Sequence, residues 1–147
     1  MKLPLSSGTK RFLLFYLLAG LALSLPSYAQ DLSSPAPANA QVYFISPSNG
    51  DTVPSTFTVQ FGLKGMGVAP AGFDKANTGH HHLIIDGELP AAGKPMGSEV
   101  KHFGGGQTET TLTLPKGQHS LQLILGNHLH VPHTPPVVSE KITITVR

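Results

Sequence analysis

The sequence predicts an all-β fold, an antiparallel β-sandwich of immunoglobulin-like or cupredoxin-like architecture, and three observations predict it. Apolar residues recur with period two. Phe57, Val59, Phe61 and Leu63 against Thr56, Thr58, Gln60 and Gly62 form the clearest run, and such alternation puts every second side chain on one face of a half-buried strand. Turn formers separate the runs at Ser48-Asn49-Gly50-Asp51, Asp86-Gly87, Pro115-Lys116-Gly117 and Pro132 to Pro136. No stretch beyond residue 30 carries a helical period, and 16 glycines with 13 prolines oppose long helices.

The elements follow in order. Lys2, Lys10 and Arg11 precede the apolar run Phe12 to Leu25 and then Pro26-Ser27-Tyr28-Ala29. This is the layout of a secretory signal peptide over residues 1–29, with the small residues Ser27 and Ala29 placed for cleavage before Gln30. The apolar run falls short of the roughly 20 residues that a spanning helix needs. The expectation is a periplasmic or secreted protein with no membrane partner after cleavage. Residues 30–40, small, polar and proline-bearing, read as a flexible linker. Residues 41–147 form the sandwich domain. Further strand signals lie at Leu112 and Leu114, at Leu121, Leu123 and Leu125, and at Ile142, Ile144 and Val146. Six or seven short strands in a chain of this size are expected to pack as two sheets. Two long connections, Lys64 to Gly79 and Glu88 to Gln107, interrupt the rhythm and mark functional loops.

Charge and cysteine content narrow the function. Three of the ten basic residues leave with residues 1–29 while all eight acidic ones stay, so the exported chain is close to neutral and carries no basic stripe. Nucleic acid is not an expected partner. Cysteine is absent. An exported chain then has no disulfide framework, thiolate metal sites are excluded, and so is blue copper, whose site requires a Cys. No Ser-His-Asp order, paired carboxylates or phosphate loop is present, so an enzyme, such as a copper or zinc oxidoreductase or hydrolase, is the reading with least support.

All eight histidines lie between His80 and His133. His80 and His82 alternate in Gly-His-His-His, and His128 and His130 alternate in Asn-His-Leu-His. On a strand rising about 3.3 Å per residue, alternate side chains root roughly 6.6 Å apart, close enough for two imidazoles to converge on one ion. With Leu83 and Ile85 facing the core, His81 turns inward and His80 and His82 turn to the opposite face. Counting by twos from Leu121, Leu123 and Leu125 gives His128 and His130 the same outward parity, unless a bulge at Gly126 flips it.

His80, His82, His128 and His130 are therefore the expected ligands of a copper or zinc ion, with His102 or His133 completing or gating the site. The alternative for each is a strand histidine satisfied by backbone groups, or a residue of a solvated loop. Neutral imidazoles bind metal and protonated ones do not, so acid is expected to release the ion. His119 reads as a sheet-edge residue and Asp86 as a turn former. Met66 and Met96 read as core fillers, although thioethers would suit Cu(I). The chain is expected to buffer or deliver the metal. The competing reading is an immunoglobulin-like binding module without metal that contacts a carbohydrate, peptide or envelope protein.

Ile45-Ser46-Pro47-Ser48-Asn49-Gly50-Asp51-Thr52-Val53, Gly79-His80-His81-His82-Leu83-Ile84-Ile85-Asp86, His102-Phe103-Gly104-Gly105-Gly106-Gln107-Thr108-Glu109 and His128 to Val138 together resemble the small secreted bacterial proteins grouped as domain of unknown function 4399. The resemblance covers about residues 42–147. It implies an exported domain with a histidine-rich signature and brings no activity or catalytic residue with it. The Ser-Pro-Ser-Asn-Gly-Asp-Thr-Val stretch also resembles the first strand and turn of bacterial immunoglobulin-like modules, which agrees with a sandwich but does not decide function.

Overall fold

A computed structural model describes residues 30–147, and the predicted export signal at residues 1–29 lies outside them. Nine strands follow one another: β1 (Gln41–Ser46), β2 (Thr52–Val53), β3 (Thr56–Lys64), β4 (Gly67–Val68), β5 (Thr78–Ile85), β6 (Lys101–His102), β7 (Glu109–Thr113), β8 (Gly117–Gly126) and β9 (Ile142–Val146). No helix occurs among the described residues. One sheet runs β1-β3-β7; the other runs β2-β9-β8-β5-β4, with β6 also paired to β5. Pairing is antiparallel except for the two short contacts β2 with β9 and β4 with β5.

The period-two pattern decides which side chains meet between the sheets. Val42, Phe57, Val59, Phe61 and Leu112 of the first sheet bury against Leu83, Leu121, Leu123, Leu125, Ile144 and Val146 of the second. Each such side chain contributes about 1.5–3 kcal/mol on full burial, which makes this core the main source of stability. His81 lies on this inward face, its ring 5.2 Å from that of Phe61.

The other face of β5 and β8 is covered as well. Ile84 and Ile124 pack there with Met96 and Val100 from the long connection between β5 and β7, forming a second, smaller apolar cluster. That loop gives His80 and His82 a buried outer face, where an uncovered sheet would have left them in solvent.

Residues 30–40, expected to run free as a linker, are tied to the domain. The Ala36 amide donates to the Thr134 carbonyl, the Thr134 amide donates to the Ser34 carbonyl, and the side-chain amide of Asn127 donates to the Leu32 carbonyl. A segment without an apolar face is held here through its backbone groups, which hydropathy patterning does not register.

Asp86 and His119 join β5 to β8 at the edge of their ladder where β5 ends. Asp86, at φ 53°, occupies the turn after β5, as its place before glycine predicts. Its Oδ2 lies 2.6 Å from Nδ1 of His119, and its Oδ1 accepts the Ser120 amide. Nε2 of His119 donates to the Pro115 carbonyl. The hydrogen bond to Asp86, then that to Pro115, raise the His119 pKa. Partial burial would raise the Asp86 carboxyl, but the His119 ring and the Ser120 amide outweigh it and hold it below the ordinary carboxylate range.

Candidate metal centre

The site is built on β5. Three consecutive histidines in an extended strand must alternate, so His81 enters the main core while His80 and His82 lie side by side on the outer face, rings 4.6 Å apart. Both are fully buried. Strand β6 adds His102 directly opposite His82 in an antiparallel register, and cross-strand partners share a face. Their rings are 4.7 Å apart.

The fourth ring arrives from the connection after β8. The chain leaves the ladder at Gly126 and turns sharply about Asn127, which is buried and serves as the loop's hub. Its Oδ1 accepts the Leu129 and Val131 amides, and its Nδ2 donates to the Leu32 carbonyl and the Ser34 hydroxyl. The turn places His130 at φ 63°, a left-handed conformation that costs a non-glycine residue free energy. Strain of this kind persists where the surroundings enforce it, commonly at functional positions. The result is that Nε2 of His80 and Nδ1 of His130 stand 3.0 Å apart. The His130 ring is 5.7 Å from that of His82 and 5.0 Å from that of His102.

One nitrogen from each of His80, His82 and His130 lies within 4.8 Å of the others, a spacing that suits convergence on one ion. Nδ1 of His80 and both ring nitrogens of His82 have no hydrogen-bond partner among the described residues. A buried polar group left unpaired costs about 1–3 kcal/mol. Both rings are kept neutral by their surroundings. Burial first, then the neighbouring rings of His130 and His102, lowers His80 to about 4. Burial and the His80 ring lower His82 to about 2. His130 is lowered too, by burial and then by His102. Neutral imidazole is the form that binds metal. Outside the group of three, exposed His102 donates Nε2–H to the Gly97 carbonyl, which leaves Nδ1 as its lone-pair nitrogen.

Two of the expected ligands go elsewhere. His128 does not share a face with His130, because the turn at Asn127 breaks the parity carried over from β8; its Nδ1 lies 3.3 Å from Oδ1 of Asp74. His133 is buried between two backbone carbonyls, with Nδ1 3.3 Å from the Leu125 oxygen and Nε2 3.2 Å from that of Thr78. It stitches the loop to the sheet. His81 also has two unpartnered ring nitrogens, but it faces the opposite side of β5 from the cluster. Burial lowers its pKa, against an opposing contribution from the Gln107 backbone.

Sequence reasoning missed Asn127 and Asp74. Asn before His in a proline-bearing connection is a recognisable side-chain-to-backbone turn signal; the Asp74 contact spans two loops and leaves no local signal.

The two long connections meet at this end of the domain. The Ala71 amide donates to the Gly104 carbonyl, Gly72 to that of His128 and Met96 to that of His130. The cluster therefore sits under a mouth of three loops joined backbone to backbone.

Comparison with known proteins gives one family. The family described as Domain of unknown function (DUF4399) matches residues 59–147, from within β3 through β9 and across every histidine of the cluster. Nothing matches among curated proteins or among solved structures.

Proposed function

Because the chain belongs to the DUF4399 family, whose description specifies no activity, its function must be argued from the site, and we propose that it binds one transition-metal ion, copper or zinc, through His80, His82 and His130. His102 stands at the lip as a further donor. The observation that carries the reading is the pairing of convergence with privation: three ring nitrogens lie within 4.8 Å of one another, and two of the rings, His80 and His82, carry buried nitrogens without a hydrogen-bond partner. An ion would satisfy nitrogens that the fold has desolvated. It would also favour the left-handed His130 conformation, since bound metal stabilises the state that binds it.

The role we assign is buffering or delivery in the periplasm or outside the cell. The export-signal pattern of residues 1–29 supports that location, and mass analysis of the exported chain should find Gln30 first. Exposed His102 at the lip suits a donor through which an ion is passed.

Elemental analysis of protein exported without a polyhistidine tag tests the reading. The expected result is one copper or zinc ion per chain, lost from the His80→Ala/His82→Ala variant. Metal-free protein that also fails to take up either ion in titration would overturn it and leave the binding-module reading in its place.

A further inference from the structure

Met96 was expected to be a gap filler, and part of its surroundings fit that role, since it packs with Ile84, Val100 and Ile124. Its other neighbours are the histidines. A Cβ on Gly126 would meet Cε1 of His82 at 2.5 Å and the Met96 methyl at 2.8 Å, so both side chains come down on the same bare stretch of backbone. The Met96 amide donates to the His130 carbonyl. The next residue, Gly97, accepts the ring N–H of His102. Met96 is thus tied to His82 through side-chain proximity, to His130 through its own backbone and to His102 through its neighbour, and it is itself buried.

Charge is the second consideration. His80, His82 and His130 are neutral donors, and cysteine is absent from the chain. The carboxylates near the mouth are exposed and engaged elsewhere: Asp74 on His128, and Glu99 on the Gly97 amide. A dication in this buried site would have no carboxylate ligand to offset its charge, whereas a monocation loses less hydration on entry. Soft thioether with imidazole favours Cu(I) over Zn(II).

Resting on the metal-site reading above, we propose that the Met96 thioether is a ligand of the same site and makes it selective for Cu(I). The methionine supplies the soft donor and the His80, His82 and His130 imidazoles supply the rest. The apolar cover of Ile84, Ile124 and Val100 keeps water from the cuprous ion.

The test compares wild type with Met96→Leu, a substitution close in volume that removes only the sulfur donor. Affinities for Cu(I) and Zn(II) are measured by competition with chelators, and X-ray absorption is recorded on the Cu(I)-loaded wild type. The expected result is a sulfur scatterer in the wild-type spectrum, at least a tenfold loss of Cu(I) affinity in Met96→Leu, and unchanged Zn(II) affinity. A wild-type spectrum with nitrogen ligands alone, or equal Cu(I) affinity in the two proteins, overturns the inference while leaving a histidine metal site standing. Wild type that binds neither ion overturns the histidine site and this inference with it. The absorption spectrum needs no variant, so it decides the matter even where Met96→Leu folds poorly.

Discussion

Nε2 of His80 and Nδ1 of His130 lie 3.0 Å apart although 50 positions separate them in the chain. One nitrogen donates a proton to the other, and the same short gap is where a metal would displace that proton. The Gly126–His130 turn carries His130 to this point, so the turn is where the site can be tested without altering a donor.

Asn127→Ala should disable the site from outside it. The change removes four hydrogen bonds made by a buried side chain, at about 0.5–1.5 kcal/mol each with further cost for the amides left unpaired. The expected outcome is a fall in stability of about 2 kcal/mol or more and weakened metal binding, read by denaturant unfolding and by metal titration. Metal affinity equal to wild type would show that His130 holds its place without Asn127.

Gly126→Ala tests how closely His82 and Met96 approach the backbone. An added Cβ would stand 2.5 Å from the His82 ring and 2.8 Å from the Met96 methyl, so both side chains must shift. Overpacking of this type costs about 1–3 kcal/mol. Metal affinity should fall together with stability, and a variant matching wild type in both would mean that the two side chains yield freely.

His128 and His133 should separate cleanly from the cluster. His128→Ala is expected to leave metal affinity within about twofold of wild type, because the ring pairs with an exposed Asp74 outside the group of three, where exposed pairs contribute little. His133→Ala is expected to cost about 1–3 kcal/mol in stability, because it removes a buried ring lodged between the Leu125 and Thr78 carbonyls. A loss of metal stoichiometry in His128→Ala, measured by calorimetry, would place that ring among the ligands.

The His119–Asp86 pair should give a pH-dependent increment of stability whose window follows from the two shifts. His119 has a raised folded pKa, so its contribution is complete below its unfolded value near 6.5 and is lost as pH rises through the folded value. Asp86 is lowered, so its contribution is present above its unfolded value near 3.9 and is lost as pH falls through the folded value. Wild type and His119→Gln should therefore differ most near pH 5–6 and converge in alkali. The difference should stay under about 1 kcal/mol, because the carboxylate is largely exposed. Thermal unfolding across pH checks this, and a difference that grows in alkali would contradict the ion pair.

Much of the fold was legible in the sequence. The runs at Phe57 to Leu63, Leu121 to Leu125 and Ile142 to Val146 are the strands β3, β8 and β9, because alternation is imposed locally by strand geometry and needs no knowledge of the partner. The same logic turned His81 inward and set His80 and His82 together on the other face. For those two residues the sequence was sufficient.

Only the tertiary structure decided which other rings join them. His102 enters through its register opposite His82 on a two-residue strand, too short to carry a period of its own. His130 enters and His128 leaves because Asn127 and a left-handed residue end the parity of β8, a switch made by side-chain-to-backbone bonds that periodicity cannot express. Met96 comes down beside His82 on the backbone of Gly126, 30 positions further along the chain. Period and parity are properties of a single strand and can be read along the chain; convergence of the His80, His82, His102 and His130 rings belongs to loops folded onto one another, and their contacts are fixed only when the whole domain packs.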